Sequence, residues 1–268
     1  MRIALAQFAP SHDATANAET LAGLTGRAAD AGARLMLAPE GSITDFLSDP
    51  SATARDAEQL DGPFVTALLE MSRQHAIAVA AGTFVPDADT GKVHNTLVIA
   101  DRGELLATYR KIHLYDAFAF VESDAVAAGT ESPPVLHFDG MAVGFATCYD
   151  LRFPELFRVL RAGGADVMAL ASAWVVGPGK EEHWLTLLRA RAIENTAYLV
   201  AADQAGRKGI GRTAAFDPFG LPLLDLGTAA PALGLVDVNA DRIAEVRAVL
   251  PSGEHTRFRI GATPDSDR

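Results

Sequence analysis

The chain has a single cysteine, Cys148, and its surroundings favour nucleophilic chemistry. An apolar run at 142–147 ends directly before it, and Phe153 and Pro154 open a predicted helix a few residues later. A strand–turn–helix elbow places a side chain at the carboxyl end of a strand, where sites in α/β sheets lie. Amide N–H groups and the helix dipole at such a turn favour the thiolate. Cys148 is therefore a candidate nucleophile, and the alternative is an inert, buried cysteine.

Three more charged residues stand after predicted strands or apolar segments. Glu40 follows the segment 34–39, Lys111 follows 104–110, and Glu122 follows the aromatic-rich segment 118–121. A carboxylate at a sheet edge can act as a general base, and an ammonium beside a thiol can stabilise an oxyanion. Taken singly, each has an ordinary alternative, namely a loop carboxylate, a surface lysine or a structural ion pair.

The elements that must position these residues alternate along the chain. Short apolar runs typical of strands alternate with segments that have helical spacing of apolar residues. Predicted strands lie at 3–8, 34–38, 77–84, 95–100, 104–110, 142–147, 167–171, 198–202, 213–216 and 221–224, and predicted helices at 13–31, from 63, 154–160 and 180–196. The order β-α-β-α-β-β-β thus occurs twice.

Each half would expose an apolar sheet face, so stacking sheet on sheet with the helices outside buries both faces. This predicts an α/β fold, a four-layer α-β-β-α sandwich. We expect one domain over residues 1–260 and a polar, mobile tail at 261–268.

Composition excludes several functional classes. The 268 residues include 23 Lys and Arg against 34 Asp and Glu, a formal charge of −11, which argues against a nucleic-acid partner. One cysteine cannot form an intramolecular disulfide or a Cys-rich metal site, and the seven histidines lack metal-binding spacing. The apolar runs are too short to span a membrane and no signal-peptide core is seen, so we expect a cytoplasmic protein. A Cys–His hydrolase that uses His113 or His183 remains an alternative.

Read together, the candidate residues stand in ordered motifs. Glu40 follows Ala38-Pro39, Lys111 lies in RKIHL, and Glu122 precedes a serine; further motifs are CYDLRFPE at 148–155, LRARAIEN at 188–195, GRT at 211–213 and DPFG at 217–220. This set resembles the nitrilase (carbon–nitrogen hydrolase) superfamily from residue 3 to about residue 238.

The resemblance implies a role for each candidate. Cys148 would be the nucleophile, Glu40 the general base, Lys111 the oxyanion stabiliser, and Glu122 the second glutamate that orients Lys111 or the base. The backbone N–H of Tyr149 would complete the oxyanion hole. No metal or organic cofactor is needed for this chemistry. The segment from Lys111 to Glu122 spans only eleven positions, shorter than in many members, so we expect an unusual pocket wall.

The residues after the cysteine favour one branch of the family. Nitrilases commonly carry Trp-Glu there, whereas Cys148-Tyr149-Asp150 resembles the amidase branch of ω-amidases and deaminated-glutathione amidases. The implied function is hydrolysis of a small linear amide to an acid and ammonia through a thioester, by a homodimer. Alternatives are N-carbamoyl amino acid hydrolysis, nitrile hydrolysis, and a non-catalytic binding or scaffold protein.

Overall fold

Two six-stranded β-sheets form the centre of the computed structural model, which describes residues 1–118, 120–258 and 260. The strands are β1 (Arg2–Gln7), β2 (Leu35–Leu37), β3 (Ala78–Pro86), β4 (Val93–Asp101), β5 (Glu104–Arg110), β6 (Asp116–Ala117), β7 (Phe120–Val121), β8 (Val135–Phe138), β9 (Met141–Thr147), β10 (Val167–Ser172), β11 (Tyr198–Asp203), β12 (Ala214–Phe216), β13 (Pro222–Asp225) and β14 (Ala232–Asp237). The helices are α1 (Ala14–Asp30), α2 (Ala52–Arg55), α3 (Pro63–His75), α4 (Pro154–Ala162), α5 (Lys180–Asn195) and α6 (Ala240–Val249).

The two sheets have related strand orders. The first runs β14-β1-β2-β3-β4-β5 and the second β13-β12-β11-β10-β9-β8, while β6 and β7 form a separate short hairpin. β1, β2 and β3 are parallel, as are β9, β10 and β11, and the flanking strands are antiparallel to their neighbours. β5 pairs antiparallel with β4, which itself pairs antiparallel with β3, so β5 ends at the same edge as β2.

The four layers arise because successive side chains of a strand point to opposite faces of its sheet. One face packs on the other sheet and the opposite face packs on helices. In β1, Ile3 and Leu5 pack into a cluster that both sheets share. Ala4 and Ala6 instead join a cluster that contains apolar residues of α1 and α3. The outer face of the second sheet packs in the same way on α4 and α5. The predicted four-layer α-β-β-α sandwich is thereby confirmed.

The structure adds elements that the sequence patterns did not predict. β14 pairs antiparallel with β1 and closes one edge of the first sheet, although it comes from the far end of the chain. β8, α2 and α6 were also missed. β8 and β14 are only partly buried, so their apolar patterns are weak, and the pairing of β14 is a long-range contact that no local window contains. The expected tail at 261–268 lies outside the described residues. None of the helices in the described part of the chain is long and apolar enough to cross a bilayer.

Candidate active site

Two glutamates and a lysine form a buried ion cluster at the edge where β2 and β5 end. The Nζ of Lys111 lies 2.9 Å from Oε1 of Glu40 and 2.8 Å from Oε2 of Glu122. The side-chain amide of Asn95 donates to both carboxylates, at 2.8 and 3.0 Å. Lys111 is only 2% exposed, so this charge cluster is almost completely removed from water. Burial lowers the pKa of Lys111, but the charges of Glu122 and Glu40 outweigh it and hold the pKa well above its usual value.

The turn that carries Glu40 depends on two glycines. Gly41 adopts a positive φ of 55°, a conformation that glycine reaches without steric cost. Gly82 of β3 packs directly on this turn, where a Cβ would lie 2.7 Å from the Cα of Glu40. The second sheet also holds Glu40, because the N–H of Ala173, just after β10, donates to its Oε2 at 2.9 Å. The carboxylate is therefore fixed by both sheets.

Cys148 lies at the end of β9 and begins a short 3₁₀ helix over Cys148–Arg152. Its φ is +44°, a strained value for a residue other than glycine. Asp150, which is completely buried, braces this elbow by accepting the N–H of Thr147 at 2.9 Å and the hydroxyl of Tyr109 at 2.8 Å. The predicted strand–turn–helix elbow is thus present, although a 3₁₀ turn separates Cys148 from α4.

The expectation that this turn favours the thiolate is wrong. Burial raises the pKa of the Cys148 thiol well above its usual value, and the charge of Glu40 raises it further. Lys111 acts in the opposite direction but does not compensate. The sequence indicated the turn and the presence of Lys111, but it did not indicate how deeply Cys148 is buried. Burial penalises the charged form of the thiol. The resting side chain is therefore a thiol that needs a base.

This protonation state has a measurable consequence. Alkylation requires the thiolate, so we expect iodoacetamide to label the folded protein slowly at neutral pH and faster as pH rises. The rise should lie at higher pH than for the same chain unfolded in urea. Because the chain has one cysteine, mass spectrometry reads the reaction at a single residue. Equal labelling rates at pH 7 in the folded and unfolded protein would contradict the raised pKa.

The catalytic candidates face a cavity of about 550 Å³. Glu40, Glu122 and Cys148 line it, and the Lys111 ammonium lies behind the two carboxylates. The walls of the cavity are largely aromatic and are formed by Phe46, Tyr115, Phe118, Phe120, Tyr149 and Trp174. Lys180 and Lys208 also line it. Two carboxylates and the cysteine therefore face a pocket with largely aromatic walls.

Sequence reasoning missed Asn95. It is a buried asparagine inside strand β4, where asparagine is disfavoured, and that anomaly was the available signal. Lys180 appeared only as the first residue of the predicted helix at 180–196, without a role. Asp150 was quoted within a motif without a role.

Loss of Asn95 should loosen the ion cluster. In Asn95→Ala, both carboxylates lose a buried donor, which we expect to cost roughly 1–3 kcal/mol of unfolding free energy. We also expect kcat to fall by about tenfold or more, since Glu40 and Lys111 lose a shared support. Urea denaturation and steady-state kinetics measure the two effects. Thr96→Ala, an adjacent buried substitution outside the cluster, is the control, and equal kcat losses in both variants would refute the positioning role.

The histidines of the Cys–His alternative do not line the cavity. His113 bonds through Nδ1 to Asp150 at 2.7 Å and stacks on Phe153, and His183 is exposed beside Arg152. Within the described ranges, no group of three or more His, Cys, Asp or Glu is arranged to hold a metal ion.

Comparison of the sequence with known proteins identifies its family. The family model described as carbon–nitrogen hydrolase matches residues 2–248. A curated relative from Escherichia coli O157:H7, named deaminated glutathione amidase, is 40% identical over 258 residues, which cover 96% of this chain and 98% of the relative.

Solved structures agree as well. A CN-hydrolase superfamily protein from Xanthomonas campestris with an arsenic adduct in its active site has a TM-score of 0.86 at 28% identity, covering 97% of this chain and 99% of that one. An amidase from Nesterenkonia sp. AN1, with acrylamide added at its active-site cysteine, has a TM-score of 0.74 at 29% identity, covering 94% and 98%. This chain, with its buried Glu–Lys cluster beside one cysteine, belongs to the carbon–nitrogen hydrolase family.

Proposed function

We propose that this carbon–nitrogen hydrolase, an amidase, cleaves small linear amides to an acid and ammonia through a thioester on Cys148. The observation that carries the mechanism is that Glu40 and Cys148 line the same cavity, while the Lys111 ammonium lies 2.9 Å from Glu40 and close enough for its charge to act on the thiol. A nucleophile, a base and a cation for a developing oxyanion are the parts that acyl transfer requires.

In the first half-reaction, Glu40 takes the thiol proton while the sulfur attacks the amide carbon. The resulting oxyanion is held by the Lys111 ammonium and by the N–H of Tyr149. That N–H belongs to the first turn of the 3₁₀ helix, where amide groups lack partners within the helix. Glu40 then returns the proton to the nitrogen, so that ammonia leaves and an acyl thioester remains.

In the second half-reaction, Glu40 takes a proton from water, and the oxygen attacks the thioester carbon. The same two donors hold the second oxyanion. Its collapse breaks the carbon–sulfur bond, releases the carboxylic acid and returns the proton to the thiol. The raised pKa of the Cys148 thiol supports this assignment, because a neutral thiol needs the adjacent base to become reactive.

Glu122 acts as a positioning residue in this proposal. Its Oε2 accepts from the Lys111 ammonium and, at 2.6 Å, from the backbone N–H of Tyr115. It thereby fixes the cation without needing to contact the substrate. The short segment between Lys111 and Glu122 thus ends in a residue that ties the pocket wall to the ion cluster.

Ammonia release across a substrate panel tests the activity and its branch. The panel contains deaminated glutathione, α-ketoglutaramate, aliphatic amides, N-carbamoyl amino acids and nitriles. The relative named deaminated glutathione amidase supports the first compound as the fastest substrate. Faster turnover of carbamoyl compounds or nitriles would favour those branches instead. No turnover of any compound would favour a non-catalytic binding protein.

We also propose a cytoplasmic homodimer. The free cysteine is compatible with a reducing compartment. On the α5 side of the molecule, the apolar side chains of Ile193, Phe219 and Leu221 are exposed, which supports an association surface there. Sedimentation equilibrium tests the assembly, and a monomer at micromolar concentration would refute it.

A further inference from the structure

A row of three side chains, Cys148, Ser172 and Asp203, crosses the carboxyl ends of β9, β10 and β11. We propose that Asp203, acting through the hydroxyl of Ser172, directs a hydrogen bond onto the sulfur of Cys148 and so stabilises the negative charge that develops there. Ser172 then contacts a reacting atom, whereas Asp203 is a positioning residue. The inference rests on the proposed amide hydrolysis and adds two residues to the same site.

The register of the second sheet places these residues side by side. Thr147 of β9 pairs with Ala171 of β10, so Cys148 follows at the level of Ser172, and Ser172 pairs directly with Asp203. Two positions earlier, each strand points an alanine or leucine into the cluster on the α4 and α5 side, namely Ala146, Leu170 and Ala201. Because side chains alternate along a strand, all three members of the row lie on that face.

Two oxygens of the row are buried without a hydrogen-bond partner. Ser172 and Asp203 are completely buried. Oδ1 of Asp203 accepts the N–H of Trp174 at 2.7 Å, but neither its Oδ2 nor Oγ of Ser172 has a partner among the described residues. Unpaired buried oxygens are costly and rare. Since the two residues are paired in the sheet, a small rotation of their side chains lets each oxygen become the partner of the other.

Asp203 is a neutral acid at pH 7. Burial raises the pKa of its carboxyl group well above the usual value, and the charge of Glu40 raises it further. The N–H of Trp174 and the hydroxyl of Ser172 act in the opposite direction without compensating. The same hydroxyl also lowers the pKa of the Cys148 thiol, which places Ser172 between the acid and the sulfur. A protonated carboxyl group has an O–H that can donate.

The protonation state of Asp203 determines where the Ser172 proton points. An ionised carboxylate only accepts, so it would draw the Ser172 proton away from the sulfur. A carboxylic acid instead donates to Oγ of Ser172 and leaves the Ser172 proton for Sγ of Cys148. Hydrogen bonds to an ionised acceptor are stronger than those to a neutral one. The contact therefore favours the thiolate-like states, while Glu40 still takes and returns the reacting proton.

A neutral donor suits this position because the surrounding charge is already negative. Burial and the charge of Glu40 both disfavour the Cys148 thiolate. The opposing cation, Lys111, is shared between Glu40 and Glu122. The Ser172 hydroxyl stabilises charge on the sulfur without adding another charge to the buried cluster. It can act when the thiol loses its proton and again when the thioester collapses.

The pH dependence of iodoacetamide labelling tests this arrangement without requiring turnover. In Ser172→Ala, the donor to the sulfur is lost. We expect the rise in labelling to move to higher pH by roughly one pH unit, and kcat to fall by about tenfold or more. Asp203→Leu, which removes both oxygens, should shift labelling in the same direction. Asp203→Asn should keep labelling and kcat close to wild type, because its amide donates to Ser172 and its carbonyl accepts from Trp174.

The sign of the shift reports the charge of Asp203. If Asp203 were ionised, Asp203→Asn would remove a negative charge and move labelling to lower pH, which would overturn the proposal. Unchanged labelling in Ser172→Ala would overturn it as well. Asp203→Leu leaves the N–H of Trp174 unpaired, so circular dichroism must accompany that variant. If it does not fold, Ser172→Ala and Asp203→Asn still give the answer.

A double-mutant cycle tests whether Asp203 acts through Ser172. Adding Asp203→Leu to Ser172→Ala should cause no further labelling shift, and additive shifts would contradict the coupling. Ser72→Ala is the matched control, since Ser72 is also completely buried but lies on α3, outside the cavity. It should label like wild type, and a shift as large as that of Ser172→Ala would remove the support for the row.

The two readouts separate this inference from the proposed reaction. If wild type releases no ammonia from any amide while the labelling shifts appear as expected, the reaction is overturned and the contact to the sulfur is retained. If wild type hydrolyses amides while Ser172→Ala and Asp203→Leu label and turn over like wild type, the reaction is retained and the role of the row is overturned.

Discussion

Cys148→Ala is expected to abolish ammonia release from every amide that the wild type hydrolyses. The substitution removes only the sulfur, so neither the thioester nor its tetrahedral precursor can form. Alanine keeps the Cβ, and the strained φ of +44° is as accessible to it as to cysteine. We therefore expect the circular-dichroism spectrum and the melting temperature to stay close to those of the wild type.

Cys148→Ser is a second variant that tests the need for a strong nucleophile. Its hydroxyl occupies nearly the same space but is a far weaker nucleophile, so only trace turnover is expected. A trapping experiment completes the set, since brief incubation of wild type with a slow amide should add the acyl mass to the peptide that contains Cys148. Ammonia release by Cys148→Ala near the wild-type rate would disprove the mechanism.

Glu40→Gln is expected to lower kcat by about 10²- to 10⁴-fold, the usual contribution of a general base. The glutamine amide can no longer take the thiol proton. It is also poorly matched to its site, because Lys111, Asn95 and the N–H of Ala173 all donate to this side chain. One mismatched contact in a buried network should cost roughly 1–3 kcal/mol of stability. Steady-state kinetics and urea denaturation measure the two effects.

The same variant gives a second readout that a structural role would not produce. Since the charge of Glu40 raises the pKa of the Cys148 thiol, its removal should move the pH dependence of iodoacetamide labelling to lower pH. His183→Asn, at an exposed histidine outside the cavity, is the control and should keep wild-type kinetics. A dead His183→Asn enzyme alongside an active Glu40→Gln enzyme would instead support the Cys–His alternative.

Much of the fold was predictable because its signals are local. The helix that begins at Pro63 and the strand over 104–110 were predicted correctly, since proline in a first turn and short apolar runs are readable in small windows. Local patterns could not predict the pairing of β14 with β1. That pairing joins residues such as Arg2 and Asp237, and its register depends on a sheet edge formed by the rest of the chain.

In the candidate site as well, local features were predictable from the sequence, whereas long-range contacts were not. The sequence by itself determined the family, the residue types of the site and the strands they follow, because these are properties of motifs and strand ends. Only the tertiary structure decided which groups meet: Ala173 reaches Glu40 across 133 positions, and Asn95 joins the two carboxylates. It also reversed the expected thiol pKa shift and placed Lys180 near Arg152, because burial and the distance between charges exist only after the sheets have packed.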